Sequence, residues 1–236
     1  MPTRDDFLGG RVRLWQDETG LRATSDSVLV AAAVPAKSGD FVLDVGTGNG
    51  VIALCLNARV QGLNLTGLDC QADLLALAEK NAKENGCDFQ GVLADLNNRP
   101  SPLHGRQFHH VVTNPPFYDE SNRRKNKQVA KAYHQETDLA VWLGFCLRHV
   151  RAKGTLTVIH RPEALPEILK TLSQKLGGIE VIPVLSRAGD PAKRVIVRGW
   201  MNSRKSLSIL PPIVMHTASG KRTRAAEHIL RDGAGI

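Results

Sequence analysis

The segment VLDVGTGNG, residues 42–50, gives the clearest indication of the fold class in this sequence. An apolar, strand-like run carries Asp44 and leads directly into a glycine-rich turn, after which a helical pattern begins. The turn has glycine at every second position: Gly46, Gly48 and Gly50. Glycine lets the backbone turn tightly and approach a ligand closely, and a helix N-terminus offers unpaired amides to that ligand. Because a dinucleotide fingerprint would need glycine where Val51 stands, the spacing argues against a dinucleotide.

Strand-like and helical patterns alternate along the rest of the chain. Seven apolar or β-branched runs predict strands at 41–45, 63–69, 89–95, 108–114, 154–160, 179–185 and 194–201. Helices are expected at 50–60, from Gln71 to a C-cap at Gly86, and in the run that ends at Gly177 and Gly178. This alternation predicts an α/β fold with a doubly wound, seven-stranded and mostly parallel sheet. The last two strands are expected to form an antiparallel hairpin at one edge.

We expect a single domain over residues 1–236, because no internal repeat and no Pro/Gly/Ser-rich linker marks a boundary. Residues 1–35 form a short N-terminal extension in this interpretation. The segment 118–131 and the basic tail 218–236 lack periodicity, so both are expected to be mobile. The chain starts without a signal-peptide pattern and has no apolar run of membrane-spanning length, which predicts a cytoplasmic protein without membrane contact. Four scattered cysteines predict neither disulfides nor a metal site.

The net charge of +8 is concentrated in the second half of the chain. Residues 1–110 carry 10 basic and 13 acidic side chains, whereas residues 111–236 carry 21 basic and 10 acidic ones. A basic surface close to a candidate site favours a polyanionic partner, most simply RNA or DNA. The residues that we expect to contact RNA are Arg123, Arg124, Lys125, Lys127, Arg194, Arg198 and Lys205.

Acidic side chains stand at the ends of the first three predicted strands. Asp69 comes 19 residues after Gly50 and can accept hydrogen bonds from both hydroxyls of a ribose. Asp95 ends the third strand. Because ligands of open α/β sheets bind outside the carboxyl ends of the strands, Asp44, Asp69 and Asp95 should converge on one edge of the sheet.

The D-x-G-x-G-x-G spacing of the turn resembles class I methyltransferases, which bind S-adenosylmethionine at this position. The resemblance implies that Asp95 lies beside the adenine amine of that cofactor. The cofactor-binding residues that it implies are Asp44, Gly46, Thr47, Gly48, Gly50, Asp69, Cys70, Asp95, Leu96 and Asn114.

The fourth predicted strand ends in NPPF, residues 114–117, where two prolines cannot donate to a strand ladder. The motif resembles the [D/N/S]-P-P-[F/Y/W] motif of methyltransferases that modify amino groups on planar systems. In such a site, the Asn114 side-chain oxygen and the Pro115 carbonyl accept the amine hydrogens and aim the nitrogen lone pair at the methyl group. Pro116 keeps the turn rigid, and Phe117 stacks on an extruded base. We expect these four residues to be catalytic.

Two further segments resemble bacterial N(6)-adenine tRNA methyltransferases of the valine-tRNA type: GLRATSDSVLVAAAV at 20–34, and AKRVIVRG followed by LPPIVMH near the end. The resemblance covers most of residues 7–216 and implies that Asp26 lines the cofactor pocket. It implies a monomeric enzyme that methylates an adenine amine in RNA, most simply tRNA. Three alternatives stay open: a guanine-N(2) rRNA methyltransferase, a protein-glutamine N(5) methyltransferase, and a noncatalytic RNA-binding protein that kept the fold.

Overall fold

A nine-stranded sheet organises the computed structural model, which describes residues 3–16, 23–97, 101–117 and 137–236. The strands are β1 (Thr3–Phe7), β2 (Val12–Gln16), β3 (Phe41–Val45), β4 (Asn64–Asp69), β5 (Phe89–Leu93), β6 (Phe108–Thr113), β7 (Val150–His160), β8 (Leu176–Arg187), β9 (Ala192–Met201), β10 (Ser208–Ile209) and β11 (Ile213–His216). The helices are α1 (Ser25–Ala32), α2 (Val51–Arg59), α3 (Ala72–Glu84), α4 (Leu139–His149), α5 (Leu165–Leu172) and α6 (Arg224–Leu230).

The strand order of the large sheet is β10-β8-β9-β7-β6-β3-β4-β5, and β11 also pairs with β8. Strands β3 to β7 are mutually parallel, while β9 is antiparallel to both β7 and β8. The prediction of a doubly wound, mostly parallel sheet is therefore confirmed. The antiparallel hairpin is present, but it is not outermost, because β10 and β11 add in parallel along the free side of β8.

Helices cover both faces of this sheet, as parallel strands with two apolar faces require. Leu43, Val111 and Val112 are fully buried, and the buried residues form two clusters, one on each face. Helices α1 and α2 belong to one cluster, and α4 and α5 belong to the other. The carboxyl ends of β3, β4 and β6 therefore meet at one edge, which is where the sequence predicts the site. None of the described helices has the length and apolar character that crossing a membrane would demand.

The helical run that was predicted to end at Gly177 and Gly178 stops earlier. Helix α5 ends at Leu172, and both glycines lie inside β8. A Cβ on Gly177 would stand 2.1 Å from the carbonyl oxygen of Ser203, so glycine is needed here for a close backbone approach. The two glycines therefore mark a crossing of chain segments and not a helix C-cap.

The N-terminal extension contains a two-stranded sheet, β1 and β2, that is anchored to α3 by two asparagine side chains. The Asn85 amide accepts a hydrogen bond from the Arg13 backbone N–H at 2.9 Å and donates to the Arg13 carbonyl at 2.7 Å. Asn81 pairs with the backbone of Trp15 in the same way, at 2.9 and 3.1 Å. These amides thus satisfy the free edge of β2 as a neighbouring strand would.

The basic tail, expected to be mobile, contains helix α6. The Thr223 hydroxyl caps the helix by accepting from the Ala226 N–H at 3.1 Å, and Ile229 is buried in the same cluster as α1. The Ile236 N–H donates to the Ala32 carbonyl at 2.9 Å. With seven residues, α6 is too short for its apolar period to stand out in the sequence. The segment 118–131, also expected to be mobile, lies outside the described residues.

Candidate active site

The glycine-rich turn after β3 has three glycines with positive φ angles, 73° at Gly46, 56° at Gly48 and 86° at Gly50. A Cβ on Gly46 would lie 2.7 Å from Cζ2 of the Trp142 indole, and one on Gly50 would lie 3.2 Å from the Cβ of Ala78. Nothing lies within 4 Å of the corresponding position on Gly48. Gly46 is thus required by packing, whereas Gly48 keeps its side open.

Asp69, at the end of β4, fixes the shape of this turn. Its carboxylate accepts a hydrogen bond from the Gly48 N–H at 2.9 Å through Oδ2 and from the Gln71 N–H at 3.0 Å through Oδ1. Both oxygens keep further lone pairs, because a carboxylate can accept about four hydrogen bonds. Asp69 can therefore bind a ligand hydroxyl while it holds the turn.

A cleft with about 400 Å³ of empty space, part of it open to solvent, lies beside this carboxylate. The residues that line it are Gly46, Leu68, Asp69, Cys70, Ala94, Asp95, Leu96, Thr137 and Trp142. Five of the predicted cofactor residues are thus brought together: Gly46, Asp69, Cys70, Asp95 and Leu96. The mixture of an apolar wall with two carboxylates suits a ligand that has both a planar base and hydroxyl groups.

Two residues that the sequence did not single out, Asn97 and Thr137, connect to Asp95 beside the cleft. Asn97 donates to Asp95 Oδ1 from its backbone at 2.8 Å and from its side chain at 3.1 Å. The same side chain donates to the Thr137 hydroxyl at 3.0 Å. This chain of contacts orients Asp95 and joins the segment after β5 to the start of α4.

Asp44 and Thr47 lie beneath the turn instead of lining the cleft. The Thr47 hydroxyl donates to Asp44 Oδ2 at 2.7 Å, while Oδ1 is buried without a partner among the described residues. Burial raises the pKa of the Asp44 carboxyl to about 7; the hydrogen bond from Thr47 opposes this rise, and the charge of Asp69 adds to it.

We expect Asp44 to make the unfolding free energy fall as pH rises from about 4 to about 7. The native carboxyl keeps its proton up to about 7, whereas the unfolded one loses it near 3.8, so the native state binds more protons within this window. Between pH 5 and pH 8, the unfolding free energy of the wild type should fall by roughly 2 to 3 kcal/mol relative to that of Asp44→Asn, at about 1.4 kcal/mol per pH unit. Urea unfolding at both pH values measures the difference, with Asp73→Asn on exposed α3 surface as control. If the unfolding free energies of wild type and Asp44→Asn changed in parallel with pH, this prediction would be wrong.

The NPPF segment follows β6 on the same edge of the sheet. Asn114 Oδ1 is buried and has no hydrogen-bond partner among the described residues, and Pro115 beside it is buried as well. Proline nitrogens carry no hydrogen, so the two residues after Asn114 offer this oxygen no donor. A buried acceptor without a partner is costly in a folded protein and indicates a site for a donor from a ligand.

Trp142 connects this segment to the cleft. Its indole N–H donates to the Thr113 hydroxyl at 2.9 Å, and that hydroxyl donates to the Val45 carbonyl at 2.8 Å. The ring of the same tryptophan packs against Gly46 and lines the cleft. The cleft and Asn114 therefore stand next to each other on a rigid frame.

Phe117 is surrounded by charged and aromatic side chains. His160, at the end of β7, meets its ring edge-to-face with centroids 4.7 Å apart. The guanidinium groups of Arg194 and Arg161 lie 4.9 and 6.0 Å from the ring centroid. Burial lowers the pKa of His160 to about 4, so its imidazole is neutral at pH 7. Among the described residues around Phe117, the positive charge therefore lies on the two arginines and not on His160.

Asp26 is not among the residues that line the cleft, although the resemblance implied a place in the cofactor pocket. It pairs instead with Arg194, whose Nε donates to Asp26 Oδ2 at 2.6 Å. Asp26 therefore belongs to the Phe117 side of the edge. Gly50 caps α2 and faces Ala78, so its contribution is to the shape of the turn.

Two of the seven residues predicted to contact RNA need correction. Arg198 is buried on β9, where its Nε donates to Glu180 at 3.0 Å and its Nη1 donates to the Ala33 carbonyl at 2.6 Å, so no phosphate can reach it. Lys205 is exposed, but its carbonyl accepts from the Gly178 N–H at 2.7 Å, at the amino end of β8. That end is the sheet edge opposite Phe117. Arg194 lies at the predicted site.

The remaining four predicted RNA contacts, Arg123, Arg124, Lys125 and Lys127, lie outside the described residues. Within the described ranges, no group of three or more His, Cys, Asp or Glu side chains could hold a metal ion.

Comparisons with known proteins agree with this geometry. A family model described as "Methyltransferase small domain" matches residues 24–182. A tRNA1(Val) (adenine(37)-N6)-methyltransferase of Aeromonas salmonicida is 27% identical in an alignment of 238 positions that covers 93% of each chain. A release factor glutamine methyltransferase of Chlorobaculum tepidum is 32% identical over 143 residues, 59% of this chain and 49% of that protein. The crystal structure of a predicted O-methyltransferase of Agrobacterium tumefaciens superposes with a TM-score of 0.72 at 22% identity, over 89% of this chain and 98% of that one.

Proposed function

Because the chain belongs to the methyltransferase small domain family, we propose that it transfers a methyl group from S-adenosylmethionine to the N(6) amine of an adenine in tRNA. The observation that carries this proposal is the buried Oδ1 of Asn114, which has no hydrogen-bond partner in the described part of the chain and lies beside a cleft with two carboxylates. The relatives named as tRNA adenine-N6 methyltransferases support the same acceptor.

The residues of the cleft fit the proposed cofactor. Asp69 has lone pairs left for the ribose hydroxyls, and Asp95, which accepts from Asn97, can also accept from an adenine amine. The open side of Gly48 allows the ligand to approach the backbone closely. When bound there, the cofactor supplies an electrophilic methyl group on a sulfonium.

On the acceptor side, Asn114 acts by orienting the amine. An exocyclic amine is conjugated with its ring, so its lone pair is a poor nucleophile. When Asn114 Oδ1 and the Pro115 carbonyl accept its two hydrogens, the nitrogen moves toward tetrahedral geometry and its lone pair points at the methyl carbon. Phe117 holds the extruded base by stacking. No general base is needed, because the nitrogen can release its proton to water after the methyl transfer.

The proposed RNA path runs along the edge that carries Phe117. Arg194 and Arg161 lie beside this ring, and Lys193 is exposed next to Arg194. The basic run at Arg123, Arg124, Lys125 and Lys127 follows Phe117 by a few positions, and we propose that it contacts phosphates near the target base. A monomer would suffice for this arrangement.

The direct test is methylation of tRNA that lacks modifications, followed by mass analysis of its nucleosides. N(6)-methyladenosine is the expected product, and the relatives suggest adenine 37 as its position. Formation of N(2)-methylguanosine would instead identify guanine as the acceptor. Methylation of a release-factor peptide in place of RNA would favour the glutamine alternative, which the Chlorobaculum tepidum relative supports over part of the chain. Binding of RNA without methylation would favour a noncatalytic protein.

We expect Asp69→Ala to weaken binding of S-adenosylhomocysteine, the demethylated product, by roughly 1 to 3 kcal/mol through lost charged hydrogen bonds. The matched control is Asp73→Ala, which removes an exposed carboxylate four residues away on α3. Calorimetry measures both affinities. Equal affinities for the two variants would contradict the assignment of Asp69 to the cofactor.

A further inference from the structure

Arg194 covers a face of Phe117, the ring on which the target base is proposed to stack. Its guanidinium lies 4.9 Å from the ring centroid. Two hydrogen bonds hold it there, from Nε to Asp26 Oδ2 at 2.6 Å and from Nη1 to the Lys193 carbonyl at 2.8 Å. Contacts with helix α1 and with the backbone at the start of β9 therefore hold this side chain over the ring.

This arrangement competes with the base for the same aromatic surface. A base and a guanidinium both stack on the face of a phenyl ring, and one face accepts one partner. His160 also packs against this ring, with the two ring planes at 77°, and the Arg161 guanidinium lies 6.0 Å from the ring centroid. A base that uses the face under Arg194 must therefore displace the guanidinium.

The charges around Arg194 show what can displace it. Its side chain is 30% exposed while that of Asp26 is 12% exposed, so solvent and ligands reach the pair from the arginine side. Nη2 has no hydrogen-bond partner among the described residues. A phosphodiester carries one negative charge, as a carboxylate does, and it can accept from two guanidinium nitrogens at once, so it can compete with Asp26 for the arginine.

Resting on the proposed function, we propose that Arg194 exchanges the Asp26 carboxylate for a phosphate of the target nucleotide and thereby uncovers Phe117 for the base. Asp26 keeps the guanidinium in place when no nucleotide is present. Phosphate capture and base stacking are then linked, because the same movement of Arg194 serves both. A base without its phosphate must move the arginine off the ring without offering it another anion, so Asp26 opposes its binding.

The linkage can be measured with adenosine, adenosine 5′-monophosphate and adenosine 3′-monophosphate. The two monophosphates represent the phosphates on the 5′ and 3′ sides of a nucleotide in RNA. Binding is followed by NMR titration in the presence of saturating S-adenosylhomocysteine, which keeps the nucleotides out of the cofactor cleft. In the wild type, one of the two phosphates should raise affinity about tenfold over adenosine, as expected for charged hydrogen bonds. In Arg194→Gln, this ratio should fall to about one, while adenosine itself binds as well or better because the ring is uncovered.

Two further variants separate this exchange from other effects. Arg187→Gln removes an exposed arginine at the end of β8 on the same edge, and it should keep the wild-type ratio. Asp26→Asn removes the competing carboxylate, so the ratio should rise. Unchanged affinity for S-adenosylhomocysteine verifies that each variant is folded.

The proposal fails if Arg194→Gln keeps the wild-type ratio, if it lowers adenosine affinity as much as nucleotide affinity, or if Asp26→Asn lowers the ratio. If guanosine nucleotides bind with the same phosphate dependence and adenosine nucleotides do not, the exchange stands and the adenine acceptor of the proposed function is wrong. If no nucleotide binds to the protein loaded with S-adenosylhomocysteine, the exchange is contradicted, whereas the proposed function is tested separately by methylation of tRNA.

Discussion

Asn114→Ala is expected to lower kcat by roughly 100- to 1000-fold, the usual cost of removing one preorganised hydrogen-bonding group from a transition state. Oδ1 of Asn114 is buried without a partner among the described residues, so its acceptor capacity is available to the substrate amine. Because this contact strengthens as the nitrogen becomes tetrahedral, the loss should appear in kcat more than in substrate KM. Single-turnover methylation assays measure it.

The control for this prediction is Asn114→Asp, which keeps an acceptor oxygen in the same place and should retain most of the activity that the alanine variant loses. Affinity for S-adenosylhomocysteine should change little in either variant, because Asn114 is not among the residues that line the cleft. An alanine variant with wild-type kcat would exclude the proposed role. A parallel collapse of cofactor affinity and activity would assign Asn114 to the cofactor instead.

Gly46→Ala is expected to have the largest effect on the fold of the site. Its Cβ would lie 2.7 Å from the Trp142 ring, and the φ angle of 73° is one that alanine rarely adopts. Overpacking and backbone strain together should destabilise the protein by roughly 2 to 5 kcal/mol. The movement of Trp142 should also disturb the cleft, so cofactor affinity should fall as well.

Gly48→Ala is the matched control, because Gly48 has a φ angle of 56° and nothing within 4 Å of the added Cβ. It should cost only the backbone strain, about 1 kcal/mol. Thermal and urea unfolding compare the two variants. A double variant with Trp142→Phe, which lacks the clashing ring atoms, should recover part of the loss from Gly46→Ala. Equal destabilisation by the two glycine variants would show that packing against Trp142 is unimportant.

The parts of the site that were predictable are those whose pattern is local. The strand, the turn and the helix start from Asp44 to Gly50 are contiguous, and the NPPF segment directly follows a strand. Asp69 and Asp95 are distant in sequence, but the parallel arrangement brings their strand ends together by a general rule. Local chemistry and strand direction therefore sufficed for the cleft.

The parts that were missed depend on pairing between distant segments. Arg198 resembles its basic neighbours in the sequence, yet its partner Glu180 stands across the antiparallel pair of β8 and β9. Lys205 is as basic as Arg194 but lies at the opposite edge, because the two residues are at opposite ends of the β9 region. In the sequence, Trp142 has the pattern of an ordinary core residue of a helix. Its role in lining the cleft depends on its contact with the turn at Gly46, which is distant in sequence.

The position of β9 between β7 and β8 has a consequence for the order in which the site is completed during synthesis. All residues that line the cleft, up to Trp142 of α4, precede β7 in the sequence, so they emerge from the ribosome well before β9 does. Arg194 reaches Phe117 only after β9 has emerged and entered between two earlier strands, a slow, long-range step. On a ribosome-bound chain, the residues of the cleft are therefore present before Arg194 can complete the side of the site that carries Phe117.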